Sequence, residues 1–178
     1  YWKKRRPLPL FRTQFVASKP VQTALLVVSG LGAYRATING QELSEATLEP
    51  TLTDYSQRIF YRAFQVPATQ FIDSKMVLGM TMGSGWLDSR PLPGGMIPLH
   101  YLARGAVTAT AQLYIAYQDG SKETLQANWQ VTKGFVRDAE MYTGDTIDLG
   151  MQKAMEGWDT VQGFESNSVT WQPAIDYQ

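Results

Sequence analysis

Eight carboxylates fall in or beside stretches that read as loops: Glu42, Glu45, Glu49, Asp54, Asp88, Asp145, Asp148 and Asp159. Paired carboxylates are what glycoside hydrolysis needs, set about 5 Å apart around a nucleophile or about 9 Å apart around an activated water. Loop acids more often cap turns or face water, so none is nominated for catalysis. Gly83-Ser84-Gly85 resembles part of a nucleophile elbow, but that motif is G-x-S-x-G on a strand-to-helix turn, and no helix is expected here. The single histidine, His100, argues against a multi-histidine metal site and against a His-based triad. The chain has no cysteine, which removes thiol nucleophiles, disulfides and cysteine-based zinc sites. No phosphate-cradling Gly-x-x-x-x-Gly-Lys-Ser/Thr run occurs. Acidic loop tips can hold calcium, which accepts six to eight oxygens including backbone carbonyls. EF-hand spacing is missing, so one structural or ligand-bridging calcium is the only cofactor entertained.

Aromatic side chains near loops are the other chemical handle. Tyr55, Trp86, Tyr101, Tyr142, Trp158 and Trp171 could stack on a sugar ring, although rings in a β domain mostly pack cores and strand edges. Trp86 stands out. It follows a strand end, the glycines before it let a ligand approach the backbone, and Asp88 lies two residues on. Sugar pockets combine an apolar wall with a few convergent polar groups. The expected carbohydrate site is therefore Trp86 as platform, with Asp88, Ser84, Glu45 and Asp54 as polar partners.

These residues need a scaffold, and composition bounds it. The chain has 178 residues, 44% of them apolar and 12% aromatic, enough for one packed core. Its 16 basic and 16 acidic side chains cancel, so no global field draws it to nucleic acid or to an anionic membrane. No apolar run has the length of a membrane span and no signal peptide is visible. The basic run Lys3 to Arg6, ending in two prolines, reads as a solvated linker. The abrupt Tyr1-Trp2 start reads as that of a piece of a longer protein.

The elements expected are strands. Leu25–Val28 is an apolar run that reads as a buried strand within 23–29, and Tyr34–Ile38 alternates as the next. Asn39-Gly40 is a strong hairpin signal because both turn positions need positive φ. Leu10–Val16 alternates Phe11, Thr13 and Phe15 against Arg12 and Gln14 as a first strand. After the loop 44–58, Arg58–Val66 reads as a half-buried strand that Ile59-Phe60-Tyr61 opens. Pro67–Phe71 suits one helical turn. Lys75–Met82 is a strand in which Gly79 marks a bulge or a close backbone approach. Val107–Tyr117 and Lys122–Gln126 form a second hairpin through Asp119-Gly120. Asn128–Thr132 and Thr146–Leu149 are weaker strands, and Met151–Glu156 fits one or two helical turns. Short strands with turn signals every 8–12 residues or so describe an all-β antiparallel sandwich with little helix. The expected division is a linker or preceding segment over 1–9, a β-sandwich accessory domain over 10–150, and an irregular tail over 151–178 that packs on the sandwich or leads to a following domain.

Taken in order, several segments resemble one family. Ile38 to Gly40 (ING), Leu43-Ser44-Glu45, Leu48-Glu49-Pro50 and Thr53-Asp54-Tyr55 resemble the YINGxxVGDxxLxPxxTDY stretch of bacterial α-L-rhamnosidases of glycoside hydrolase family 78. Arg58, Tyr61 and Val66 fit the strand after it. Phe71 to Trp86 is similar to LKxGENxLGVxLGxGW, and Tyr114 to Gly134 fits the next hairpin. Tyr142 to Asp148 resembles YxGExYD. Gly157-Trp158-Asp159 with Trp171 to Ala174 resembles the family's exit from this domain. The departures are Ser44-Glu45 for Gly-Asp, Leu87 after Gly-x-Gly-Trp, and Asp145 after Gly144.

The resemblance implies a jelly-roll-like, galactose-binding-like sandwich that precedes other domains, with the catalytic carboxylates on a barrel outside this chain. It implies a non-catalytic accessory domain that recognises rhamnose-containing carbohydrate. The alternative is an interdomain scaffold with no sugar site. A related module in the family uses calcium. The partners implied are other domains of the same polypeptide and a rhamnose-containing oligosaccharide. The parent is expected to be exported, periplasmic or extracellular.

Overall fold

A computed structural model describes residues 7–85, 87, 106–140, 144–166 and 168–175. Six strands form one antiparallel sheet in the order β12-β9-β1-β6-β3-β4, and four form a second in the order β5-β2-β7-β8. The first sheet uses β1 (Pro9–Val16), β3 (Ala33–Ile38), β4 (Gln41–Glu42), β6 (Lys75–Gly83), β9 (Gln130–Lys133) and β12 (Gln172–Pro173). The second uses β2 (Val21–Leu31), β5 (Arg62–Pro67), β7 (Thr108–Tyr117) and β8 (Lys122–Gln126). A separate ribbon pairs β10 (Val136–Glu140) with β11 (Gly144–Ile147). Helices are short: α1 (Leu149–Ala154), α2 (Val161–Ser166) and a 3₁₀ turn over Ala68–Gln70.

The core lies between the two large sheets. Phe15, Leu78 and Met80 from one meet Leu26, Val28, Leu113 and Ile115 from the other in a single buried cluster. Period-two alternation produces this arrangement, since successive strand side chains point to opposite faces. The turns follow their sequence signals: Asn39 and Gly40 take φ of 49° and 82°, and Gly120 takes 81°. Asn39 also fastens its turn to the neighbouring chain. Its Oδ1 accepts from the Val77 amide at 2.9 Å and its Nδ2 donates to the Gln70 carbonyl at 2.7 Å.

Several expectations are corrected. The Leu25–Val28 run is buried on one face only: Leu26 and Val28 enter the core, while Leu25 is 43% exposed. A purely apolar stretch therefore lies in a strand whose outer side is uncovered. Residues 59–61 do not open β5, which begins at Arg62; Ile59, Phe60 and Tyr61 are exposed and outside any strand. Gly79 carries no bulge, because β6 keeps regular register with both β1 and β3. It is a close approach instead, as an added Cβ would sit 2.6 Å from the Cβ of Asp159. Leu149 does not close β11 but begins α1, where Asp148 accepts the Met151 amide as helix cap at 2.9 Å. The chain after Glu156 is less irregular than its sequence suggests, with α2 folded and β12 paired to β9.

Candidate functional site

Of the expected sugar-site residues, Trp86 and Asp88 lie outside the described residues, as do Tyr101, Tyr142 and His100. Ser84 follows the end of β6 and is buried. Its carbonyl accepts from the Leu87 amide at 3.0 Å, closing a turn in which Gly85 has a φ of 51°. That turn lies against β3: a Cβ on Gly85 would come within 2.6 Å of the Ala33 nitrogen. The loop after β4 reaches the same end of β3, where the Tyr34 amide donates to the Glu49 carbonyl at 2.8 Å. Asp54 stands in that loop, accepting from the Ser56 amide at 3.0 Å and hydroxyl at 2.6 Å. Those bonds to Ser56 hold its carboxyl below the usual range. Glu45 is exposed in the same loop. The turn carrying Ser84 and the loop carrying Glu45 and Asp54 thus flank one strand end.

Four of the remaining acids are engaged one at a time. Glu42 pairs with Arg35 at 3.4 Å, and buried Glu49 pairs with Arg62. Asp148 caps α1 and pairs with Arg137 at 2.7 Å; the Arg137 bond, then the Met151 amide, lowers its pKa. Asp159 is buried and accepts from the Thr37 hydroxyl at 2.5 Å. Asp145 is exposed on β11. Among the described residues no three Asp, Glu, His or Cys side chains converge on a point that could hold a metal ion. Beside the Glu49–Arg62 pair lies the Tyr34 phenol. It is 2% exposed and meets no hydrogen-bond partner among the described residues. Burial, with the nearby Glu49 charge, pushes its pKa to about 12.

The alternating pattern of β1 suggests an outward, solvated Arg12, and the structure places it otherwise. Arg12 is buried on the outer face of the six-stranded sheet, beneath the tail. It donates to Gln130 Oε1 at 3.0 Å and to the carbonyls of Trp158, Gly163 and Phe164 at 3.2 Å each. Its guanidinium carbon lies 4.4 Å from the Phe164 ring centre and 4.0 Å from that of Trp171. Desolvation lowers its pKa to about 10. Trp158 stacks on Trp171 with ring centres 5.7 Å apart. The three widely spaced aromatics of the tail are therefore gathered by a single cation. In sequence Trp158, Phe164 and Trp171 are spaced too widely for a helix face, and nothing near Arg12 announces the cluster.

Beside this cluster a shallow groove of about 540 Å³ is walled by Phe135, Leu149, Met155 and Trp158, with Gln152, Lys153, Glu156 and Asp159 as polar lining. Its volume would suit a small ligand. Its aromatic wall is already committed, however: Trp158 is 7% exposed and stacked on Trp171. Trp158 therefore offers a sugar no open ring face, and the groove's other ring, Phe135, is partly buried against the same cluster.

Comparison with known proteins places this architecture. The α-L-rhamnosidase of Streptomyces avermitilis is 30% identical over 152 residues, which cover 84% of this chain and 14% of that protein. The crystal structure of native α-L-rhamnosidase from Aspergillus terreus superposes with a TM-score of 0.81 at 24% identity, over 99% of this chain and 20% of that one. The Streptomyces avermitilis enzyme complexed with L-rhamnose superposes at 0.71 and 23% identity, over 96% and 16%. Both superpositions show a shared fold. This chain thus spans a small fraction of the length of the relatives it matches. A family model for the α-L-rhamnosidase N-terminal domain matches residues 19–177, and the chain belongs to that family.

Proposed function

We propose that this chain is a non-catalytic accessory domain of a longer α-L-rhamnosidase and supports its recognition of rhamnose-containing carbohydrate. One observation carries the reading. The family match runs through residues 19–177, yet the chain corresponds to only 14% of a relative bearing that activity. Two features agree with it: the engaged acids hold turns, helix ends and ion pairs, and the Ser84 turn with the Glu45–Asp54 loop flanks one end of β3. Trp86 and Asp88 flank Leu87 of that turn in sequence and are the residues we assign to sugar contact.

The test is calorimetric titration of the chain, its folding verified by near-ultraviolet dichroism, with L-rhamnose. It is run with calcium and again with chelator. Saturable binding that Trp86→Ala abolishes is expected, and its loss on chelation would assign a bridging calcium. No heat at millimolar sugar removes the carbohydrate role. A scaffold role would then stand, and the outer face of the β5-β2-β7-β8 sheet, with Lys122 as its one charged side chain, is the observation that favours it.

A further inference from the structure

The outer face of the four-stranded sheet is unusual for a surface exposed to water. Register places Leu25 between Gln65 and Tyr114, and Val27 between Ala63 and Gln112. Leu25 is 43% exposed and Tyr114 42%. Around them the outward positions of the four strands carry Thr, Ser, Gln, Ala and Pro. Lys122, opposite Ala116 on the β8 edge, is their only charged side chain. Charge is sparse in the chain as a whole, with Asp, Glu, Lys and Arg making up 18% of it against about 25% in an average soluble domain. At one corner the Ser29 hydroxyl donates to the Phe60 carbonyl at 2.8 Å, which holds the exposed Phe60 and Tyr61 beside the face. An apolar centre that includes an aromatic ring, a rim of amides and hydroxyls, and a lack of charge are the marks of a protein–protein contact surface. Domain interfaces within one chain have the same character.

We propose that this face, centred on Leu25, Val27 and Tyr114, is the surface through which the domain docks on another domain of the same polypeptide. The occupant follows from two observations. A relative that matches this chain is far longer, with 86% of its length outside the match (the complement of the 14% that is covered). The face also carries a single charge, Lys122 at its β8 edge, and none at its centre, so its complement is a largely uncharged protein surface. The proposal rests on the reading of the chain as one domain of a longer rhamnosidase. A sugar role at the Ser84–Asp88 turn is independent of it.

The test is hydroxyl-radical footprinting of the full-length polypeptide, each residue's rate normalised to its intrinsic reactivity. Leu48 is the matched control, a leucine 42% exposed in the loop after β4. A docked face excludes water, so Leu25 and Tyr114 should label at least about fivefold more slowly than Leu48 does. Leu25→Lys with Tyr114→Lys in the full-length protein should speed protease cleavage between this domain and the next, and Leu48→Lys should not. Leu25 labelling at the Leu48 rate overturns the proposal while leaving the multidomain reading intact. A full-length polypeptide with no further domain would overturn that reading instead. Protection that appears only with added L-rhamnose overturns the proposal in favour of a glycan face, and protection that grows with protein concentration overturns it in favour of a second copy.

Discussion

A buried guanidinium with no carboxylate paired to it among the described residues must find other acceptors, because an uncompensated buried cation is costly. Arg12 finds them in three main-chain carbonyls, one amide oxygen and two aromatic faces. The carbonyls belong to the segment around α2, so one side chain on β1 holds much of the tail. Arg12→Met should lower unfolding stability by about 3 kcal/mol, since hydrogen bonds to a charged group are worth about 1.5–3 kcal/mol and their acceptors would be left buried and unpaired. Arg12→Lys should recover less than half of that, because one ammonium cannot reproduce the planar fork. Urea denaturation followed by tryptophan fluorescence reads both, and equal midpoints for wild type and Arg12→Met would refute the role. The role was not legible in sequence. Alternation assigns Arg12 to the face opposite Phe11 and Phe15, which is right, but whether that face meets water depends on residues about 120–150 positions later.

Gly79 shows the same dependence at the level of an element. It sits in the middle of β6, where alanine is ordinarily the better residue by about 0.5–1 kcal/mol. Here a Cβ would meet Asp159 Cβ at 2.6 Å, Thr37 Oγ1 at 2.7 Å and Trp158 at 2.9 Å. The tail passes so close to β6 that only a hydrogen fits. Gly79→Ala should therefore destabilise by about 1–3 kcal/mol through overpacking. It should also push Trp158 and Asp159 off the sheet and hasten tryptic cleavage at Lys153. A stabilised variant would show that the tail yields freely. The sequence correctly marked Gly79 as a close approach or a bulge, and the tertiary structure chose between them. The hairpins at Asn39-Gly40 and Asp119-Gly120 needed no such arbitration, since their turn chemistry is local.

Over the whole molecule, stability should depend on acid in one direction. Asp54, Asp119, Glu123 and Asp148 all have lowered pKa values, from hydrogen bonds to Ser56, Lys19, Tyr117 and Arg137 respectively as the leading causes. A group whose folded pKa is depressed adds stability that is fully present above its unfolded pKa and is lost as pH falls through the folded one. With unfolded values near 3.9 for Asp and 4.3 for Glu, stability should be level above about pH 5 and decline steadily below about 4. Asp148→Asn should make that decline shallower, because it removes one of the four groups while an asparagine can still cap α1. Unfolding midpoints between pH 7 and pH 2.5 test this, and an unchanged acid slope would refute it. By itself the sequence determined the β-sandwich class, most of its strands, both tight turns and the family. These rest on period-two alternation, on turn positions that demand positive φ, and on motifs in a fixed order, all readable within a few residues. Only the tertiary structure decided that β3 pairs with β6, that Arg12 sits beneath the tail's aromatics, and that the outer side of Leu25–Val28 is uncovered. Each of those depends on which distant segments meet, and local spacing carries no information about such meetings.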